Sequence, residues 1–156
     1  MSHGYYLGLA RDVDPSTALD AVRDLVGGEP DEVTEDGLAL DDELLVTCRR
    51  VTHPISRAVF REEWGFDLQV RVSFAMGHKF DSGARHASED RMAIAAVNLA
   101  ARFDSDAGFD DQNDRKLFLR RDGHLTLYGD WRPRREPDVL AAIADPYRRE
   151  PTPPVE

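Results

Sequence analysis

The chain has 156 residues, of which 41% are hydrophobic and 32% charged, a composition typical of one globular domain and not of a disordered segment. Its 20 basic and 30 acidic residues give a formal net charge of −10, which disfavours nucleic acid and anionic membranes as partners and favours basic proteins. The first residues lack a signal-peptide pattern, no apolar run is as long as a membrane span, and a single cysteine, Cys48, excludes an intramolecular disulfide, so we expect a cytoplasmic protein.

The first half of the chain predicts one well-defined helix among short strands. Asp14 is suited to cap a helix and Pro15 to its first turn, where a missing N–H costs nothing. Apolar residues then recur at helical spacing until Gly27-Gly28, which predicts a helix over residues 15–26. The other predictions are strands over 5–9, 37–40 and 44–51, a polar loop over 29–36, and a short helix over 55–64 with Ile55, Val59 and Phe60 on one side.

A long strand and a second helix are predicted next. Alternation predicts a strand over residues 66–75 with one buried face, because its apolar and polar residues alternate. Ser88 is a natural N-cap, so residues 77–87 are a predicted loop and residues 89–103 a predicted helix. The two faces of the strand are Phe66, Leu68, Val70, Val72 and Phe74 on one side and Asp67, Gln69, Arg71 and Ser73 on the other.

The segment from Arg115 to Trp131 predicts a β-hairpin. Apolar residues alternate on both sides of Asp122-Gly123, a pair that tolerates the positive φ of a tight hairpin turn. Leu119 and Leu127, or their cross-strand neighbours, are therefore predicted core residues. A short last helix is predicted over residues 139–144, and residues 151–156 are predicted to be a disordered tail.

These elements predict an α+β fold in a single domain over residues 1–150. We expect a mainly antiparallel sheet of five or six strands, with the helices at 15–26 and 89–103 packed on one face and a short C-terminal helix. Trp64 and Trp131 are predicted to be core or core-rim residues.

The most acidic segment of the chain, residues 104–114, is predicted to be a loop between the second helix and the hairpin. A calcium site is disfavoured, because glycine stands at the fifth and not the sixth loop position and Arg115 replaces the bidentate glutamate. Two interpretations remain open, a solvated connection and a surface that receives a basic partner. The candidate partner-binding residues are Asp104, Asp106, Asp110, Asp111 and Asp114.

Side chains that could support catalysis or hold a metal were sought along the whole chain. The sequence has no glycine-rich phosphate loop, no paired His and Glu at metal spacing and no nucleophile elbow, so we expect no catalytic residue, cofactor or metal. His78, Asp81, His86 and Glu89 cluster near the predicted loop 77–87, yet their spacing matches no recurrent zinc site. A solvated polar loop is favoured there over a metal site.

Several short motifs, in order, resemble the immunity-protein family of the swarming-inhibition (Sit) toxin systems, known from myxobacteria and from actinobacteria. The resemblance covers most of the chain and depends on the order and spacing of motifs that are individually short. The matching residues are Tyr6, Gly8, Leu9, Asp14-Pro15, Ser73-Phe74, Lys79-Phe80, Asp106-Ala107, Leu119 to Leu127, and Pro146-Tyr147-Arg148-Arg149.

This resemblance implies a cytosolic, non-enzymatic protein that binds and neutralises a cognate toxin. The chain departs from the family where an apolar strand usually follows Asp-Ala, since Gly108 to Asp111 stand there, and we expect that strand to be lost or remade as the acidic loop. If the acidic loop is only a connection, the interface is expected on the sheet face around Gln69, Arg71 and Ser73. The alternatives are a small enzyme or ligand-binding domain that uses the His78 to His86 loop, and a structural subunit of a larger complex.

Overall fold

The protein folds as one mixed sheet with helices on both faces. The structure, a computed structural model, describes residues 3–26, 32–33, 37–40, 44–76, 82–111, 115–129 and 136–153. Its strands are β1 (His3–Leu9), β2 (Glu32–Val33), β3 (Gly37–Leu40), β4 (Leu44–Arg50), β5 (Val70–Met76), β6 (Ala107–Asp111), β7 (Lys116–Arg121), β8 (His124–Tyr128) and β9 (Tyr147–Glu150). Its helices are α1 (Pro15–Val26), α2 (Pro54–Trp64), α3 (Ser82–Arg102) and α4 (Glu136–Ala142).

The strands form a nine-stranded sheet in the order β2-β3-β4-β5-β1-β6-β7-β8-β9. Neighbouring strands are antiparallel except β8 and β9, which run parallel. The predicted α+β class is confirmed. The sheet is larger than the predicted five or six strands because no strand was predicted in the segments that form β2, β6 and β9. The first two had been predicted to be loops, and β9 lies between the predicted last helix and the predicted tail.

The main core lies between the sheet and helices α1 and α3. Alternate residues of β4, β5, β1 and β6 point to this side, which the two helices cover. The helix predicted over 15–26 is confirmed at both ends, and the side-chain oxygen of Asp14 accepts hydrogen bonds from Ser16 Oγ at 2.5 Å and Thr17 N at 3.3 Å, which lower the pKa of Asp14. The largest fully buried side chains of this core are Leu7, Leu9, Leu44, Phe74, Met76, Met92, Leu99, Phe109, Phe118 and Leu125.

A second, smaller core lies on the opposite face beneath α2. It consists of Phe60, Trp64, Leu68 and Tyr128, with Val51, Phe66 and Leu119 packed against it. Trp64 is 4% exposed, as predicted, whereas Trp131 lies outside the described residues.

Two predicted boundaries around α3 and β5 are wrong. The predicted loop 77–87 is helical from Ser82, and α3 begins there and not after Ser88, because the residues after Gly83 contain good helix formers and no breaker. The predicted strand 66–75 begins at Val70. Leu68, expected on the same face as Val70, is fully buried in the core beneath α2, since the chain is still turning after the left-handed Gly65 that ends α2.

The prediction that residues 104–114 form a loop is also wrong. Residues Ala107–Asp111 are β6, which lies in the middle of the sheet between β1 and β7. The sequence did not predict this strand, because Gly108 and Asp110 leave only a short run of apolar residues there. Ala107 and Phe109 alternate with them and are fully buried in the main core.

The hairpin of β7 and β8 is confirmed. Asp122 has a φ of 52° and Gly123 of 80°, the positive values that a type I′ turn requires. Leu127 is 1% exposed in the main core, opposite Phe118 in the neighbouring strand. Leu119 points the other way and is partly buried beneath α2, so the two leucines predicted as core belong to different cores.

The remaining elements of the sequence prediction differ mainly in their ends. The strand predicted over 37–40 is confirmed, that over 44–51 ends at Arg50, and the helix predicted over 139–144 is Glu136–Ala142. The predicted loop 29–36 contains β2, and its other residues lie outside the described part of the chain. Tyr147–Glu150, which no pattern predicted as a strand, pairs with β8 as β9.

Cys48 is predicted to be unreactive in the folded protein. It is fully buried in β4, and burial, together with the charge of Asp14, raises the pKa of its thiol to about 12, although Arg50 acts in the opposite direction. A thiol reagent that needs the thiolate should therefore label the native protein only as fast as it unfolds, and the denatured protein at once. Rapid stoichiometric labelling of the native protein would contradict this burial.

Candidate functional site

Among the residues that the structure describes, most of the exposed large apolar side chains lie on the same side of the sheet as α2. The exposed fractions are 37% for Tyr6, 48% for Leu45, 69% for Ile55 and 48% for Val59. A group of exposed apolar residues on one face is typical of an interaction site, whereas scattered ones are ordinary. We call this surface the open face. It comprises Tyr6 of β1, Leu45, Thr47 and Arg49 of β4, Arg71, Ser73 and Ala75 of β5, and the outer side of α2 at Ile55 and Val59.

The strand register brings the sheet residues of the open face together. Thr47, Ser73 and Tyr6 form one row across three neighbouring strands, and Arg49 lies directly opposite Arg71 in the next row. Since alternate residues of a strand point to opposite faces, the residues between them fill the main core while these remain half-buried or exposed. Arg71 and Ser73 had been expected on this face, and that prediction is confirmed.

Helix α2 covers only part of this side of the sheet. It begins after His53, whose extended conformation suits the residue before Pro54, and ends where Gly65 adopts a φ of 82° and donates its N–H to the Arg61 carbonyl. Two glycines determine how closely α2 approaches the sheet. Gly8 and Gly108 face each other across β1 and β6, with the rings of Phe60 and Trp64 above them.

The glycine pair and the aromatic residues explain the position of α2. A Cβ at Gly108 would lie 2.5 to 2.7 Å from three atoms of the Trp64 indole, closer than packed side chains allow. The Phe60 ring, similarly close to Gly8, stacks on Trp64 with ring centroids 6.0 Å apart. The helix therefore lies directly on the backbone of the two central strands.

A groove of about 350 Å³ runs between α2 and the exposed row of the sheet. Gly8 forms its floor, Ile55 and Val59 line the helix side, and Tyr6 lines the sheet side. The guanidinium of Arg71 lies 5.9 Å from the centre of the Tyr6 ring, within range of a cation–π interaction. The residues that line the groove are Tyr6, Gly8, Ile55, Ser56, Val59, Phe60, Glu63, Arg71 and Asp110.

The predicted acidic residues are divided between the two ends of β6. Asp106 accepts a hydrogen bond from the backbone N–H of Asp122 at 3.0 Å, and Asp104 accepts one from the buried guanidinium of Arg120 at 3.2 Å. Both carboxylates thereby hold the hairpin against the turn that precedes β6. Trp64 lies over Gly108, between these two carboxylates at the start of β6 and Asp110 near its end.

At the other end of β6, Asp110 and Asp111 point to opposite faces. Asp111 is 8% exposed and accepts the backbone N–H of Arg115 at 3.0 Å, an interaction that closes the chain between β6 and β7. Asp110 is half-buried, lies opposite Tyr6 and lines the groove. Asp114 lies outside the described residues. The structure thus brings one of the predicted acidic residues, Asp110, to the open face.

The structure describes only part of the alternative site around His78 and His86. His86 and Glu89 belong to α3, and His78 and Asp81 lie outside the described residues. In the ranges that the structure covers, no group of three or more potential metal-ligating side chains converges. The same ranges contain no helix with the length and apolar character needed to cross a bilayer.

Sequence reasoning missed the exposed side of α2. It placed Ile55, Val59 and Phe60 on one side, whereas Phe60 is buried and Ile55 and Val59 are exposed. A signal was present, because Phe60 and Trp64 are four residues apart, as are Ile55 and Val59. Two such pairs form two stripes on a helix, and only one stripe can face the sheet.

The fold and this surface define a small α+β protein with a partly uncovered sheet face and a groove beside one helix. The model of the SitI3-like family matches residues 4–135, which include β1 from its second residue, β2 to β8, α1 to α3 and all the residues that line the groove. The chain belongs to the SitI3-like family, an immunity type of the Sit systems, and the family implies a toxin partner in general terms. Comparisons with curated proteins and with solved structures find no match.

Proposed function

We propose that this protein is a cytosolic immunity protein of the Sit systems, of the kind found in actinobacteria and myxobacteria, which binds and neutralises a cognate toxin without catalysis. The observation that carries the proposal is the open face, where exposed apolar side chains surround a groove in a chain of an immunity-type family. Binding there would cover a toxin surface and needs no chemistry from the immunity protein.

The composition of the open face supports a protein partner. Protein interfaces are enriched in aromatic residues and arginine, and their energetically dominant residues are commonly tyrosine, tryptophan and arginine. Tyr6 and Arg71 supply these types in the middle of the face, with Ile55 and Val59 beside them. The half-buried Thr47 and Ser73 add small polar groups to the adjoining row, which suits a flat contact.

The net charge of −10 favours a toxin with a basic surface. Charge complementarity acts mainly on the association rate and is screened over about 8 Å at physiological salt. We propose that Asp110 contributes directly, since it lines the groove, and that Asp104, Asp106, Asp111 and Asp114 contribute through the field of the whole protein. The association rate should accordingly fall as the salt concentration rises.

The test is a toxicity and binding assay with the product of the neighbouring open reading frame, which the proposed function expects to be the toxin. Cells that produce the toxin should survive when they also produce this protein, and the two purified proteins should form a stable complex. Replacing both Ile55 and Val59 by aspartate should weaken the complex at least tenfold, because it buries two charges against the toxin. The melting temperature should change little, since both side chains are exposed.

A matched control is Tyr147→Asp, which places the same charge at an exposed apolar position in the edge strand β9. This variant should bind as the wild type does. Absence of both protection and complex formation by the wild type would overturn the proposed function. A complex that tolerates the substitutions in α2 would instead place the interface elsewhere.

A further inference from the structure

Charged side chains of opposite sign occupy the two ends of the groove. Helix α2 runs across the strands, since Phe60 lies over β1 and Trp64, one turn later, lies over β6. Its first turn, with Ile55, is therefore on the side of β5 and its last turn is over β6. Arg71 of β5 lies at the first end, and Asp110 of β6 and Glu63 of the last helical turn lie at the second.

Neighbouring residues reinforce this polarity. Arg49 lies directly opposite Arg71 on the same face, so the first end of the groove carries two cations on adjacent strands. The first end also coincides with the positive end of the α2 dipole. At the second end, Lys116 lies opposite Asp110 in the strand register, and its ammonium donates to the Glu63 carbonyl at 2.6 Å and lies 4.7 Å from the Trp64 ring. This cation therefore caps α2, and Glu63 and Asp110 line the groove.

The sheet fixes the distance between the two charged ends. Strands β5 and β6 are separated by β1 and therefore lie about 10 Å apart. The register places Arg71 opposite Gly8 but Asp110 opposite Tyr6, two residues along β1, so the Cα atoms of Arg71 and Asp110 are about 12 Å apart. Between the ends, the groove is lined by the apolar surfaces of Tyr6, Val59 and Phe60. The groove thus presents a cationic end, an apolar centre and an anionic end in a fixed order.

We infer that the groove binds a toxin segment that carries a carboxylate and a cationic side chain about 12 Å apart, with an apolar side chain between them. This inference rests on the proposed function. The toxin carboxylate pairs with Arg71, its lysine or arginine pairs with Asp110 and Glu63, and its apolar side chain packs against Tyr6, Val59 and Phe60. In an extended segment, alternate residues share a face, so the two charged residues would be four apart with the apolar residue midway between them.

Opposite charges at the two ends of the groove determine the orientation of the bound segment and also contribute to its affinity. A segment with two charges of the same sign always places one of them against a like charge, and like charges across an interface oppose binding. The net charge favours a basic partner but does not say where on the protein it would bind. The anionic end of the groove supplies such a position. Related immunity proteins with other charges at these positions would thereby select other toxins.

The test reverses each end of the groove separately. Arg71→Glu and Asp110→Lys should each weaken binding to the neighbouring gene's toxin by at least tenfold, and Arg71→Gln and Asp110→Asn by less. Arg102→Glu and Asp138→Lys make the same charge changes at exposed positions on the helices of the other face and should bind normally. Melting temperatures establish that each variant is folded, and the neutral variants keep the test valid if a reversal destabilises the fold.

Selection of toxin variants that regain binding identifies the partner groups. Toxin substitutions that restore binding to Arg71→Glu should replace an acidic residue by lysine or arginine, and those that restore binding to Asp110→Lys should replace a basic residue by an acidic one. Suppressors of the opposite sign, or normal binding by all four groove variants, would overturn the inference while the wild-type complex still upholds the proposed function. If the wild type itself does not bind, the proposed function fails.

Discussion

Replacing Arg120 by methionine should lower the free energy of unfolding by about 3 to 5 kcal/mol, the usual cost of removing one member of a buried ion pair. Arg120 is only 3% exposed although it belongs to a short strand of the hairpin. Its guanidinium donates to Asp145 Oδ2 at 2.9 Å, to the Ser105 carbonyl at 2.9 Å and to Asp104 Oδ1 at 3.2 Å. The substitution leaves a buried carbonyl and a largely buried carboxylate without this donor.

The position of these partners explains why the effect should be large. Asp104 and Ser105 precede β6, and Asp145 precedes β9, so one side chain ties both connections to β7. Burial alone would lower the pKa of Arg120, but the hydrogen bonds with Asp145 and Asp104 outweigh it and raise that pKa. The side chain therefore remains a cation throughout the pH range in which the protein is folded.

Urea denaturation of Arg120→Met and of a matched control measures this contribution. In the control, Arg102→Met removes an arginine that pairs with Asp24 at 3.1 Å in an exposed position, where an ion pair contributes about 0 to 1 kcal/mol. Equal losses for the two variants would show that the Arg120 network is no more important than a surface ion pair.

Replacing Gly108 by alanine should destabilise the protein and also abolish the proposed binding of a toxin. The new Cβ would overlap the fused ring of Trp64, and overpacking of this kind typically costs about 1 to 3 kcal/mol. Trp64 cannot turn aside easily, because its indole is held between the sheet, Phe60 and the Lys116 ammonium. Relief therefore requires movement of α2, which forms one wall of the groove.

A double-mutant cycle separates this explanation from a general loss of stability. Trp64→Ala alone should cost about 3 to 5 kcal/mol, as for other buried aromatic residues. In the double variant the methyl group of alanine meets no indole. The destabilisation of the double variant should therefore be smaller than the sum of the two single destabilisations by about 0.5 to 3 kcal/mol. Ser73→Ala, on the same face in β5, is the control and should change stability by less than about 0.5 kcal/mol. Strictly additive costs would show that Gly108 does not support α2.

Several elements could be predicted because their signals are local. The helix at Pro15–Val26 has its cap, its first-turn proline and its apolar spacing within a few residues. The hairpin likewise depends on Asp122-Gly123 and on the alternation that flanks it. Such interactions join residues that are close in the chain, and a single sequence therefore contains nearly all the information they need. The order of short motifs was likewise sufficient to indicate the immunity-type family, which the family match over residues 4–135 supports.

The tertiary structure alone decided which residues form the candidate site. The segment 104–111 has too many polar residues to resemble a strand, yet residues 107–111 form one because β1 and β7 supply hydrogen-bond partners from other parts of the chain. Gly8 and Gly108 are 100 residues apart, and nothing in the sequence links them. The pairing of β1 with β6 brings them together, and their lack of side chains lets α2 lie close to the sheet. Ile55 and Val59 are exposed for the same reason, since contact with those glycines determines which side of α2 is buried. Side-chain alternation and helical spacing specify the faces of an element, but long-range pairing determines which face another element covers.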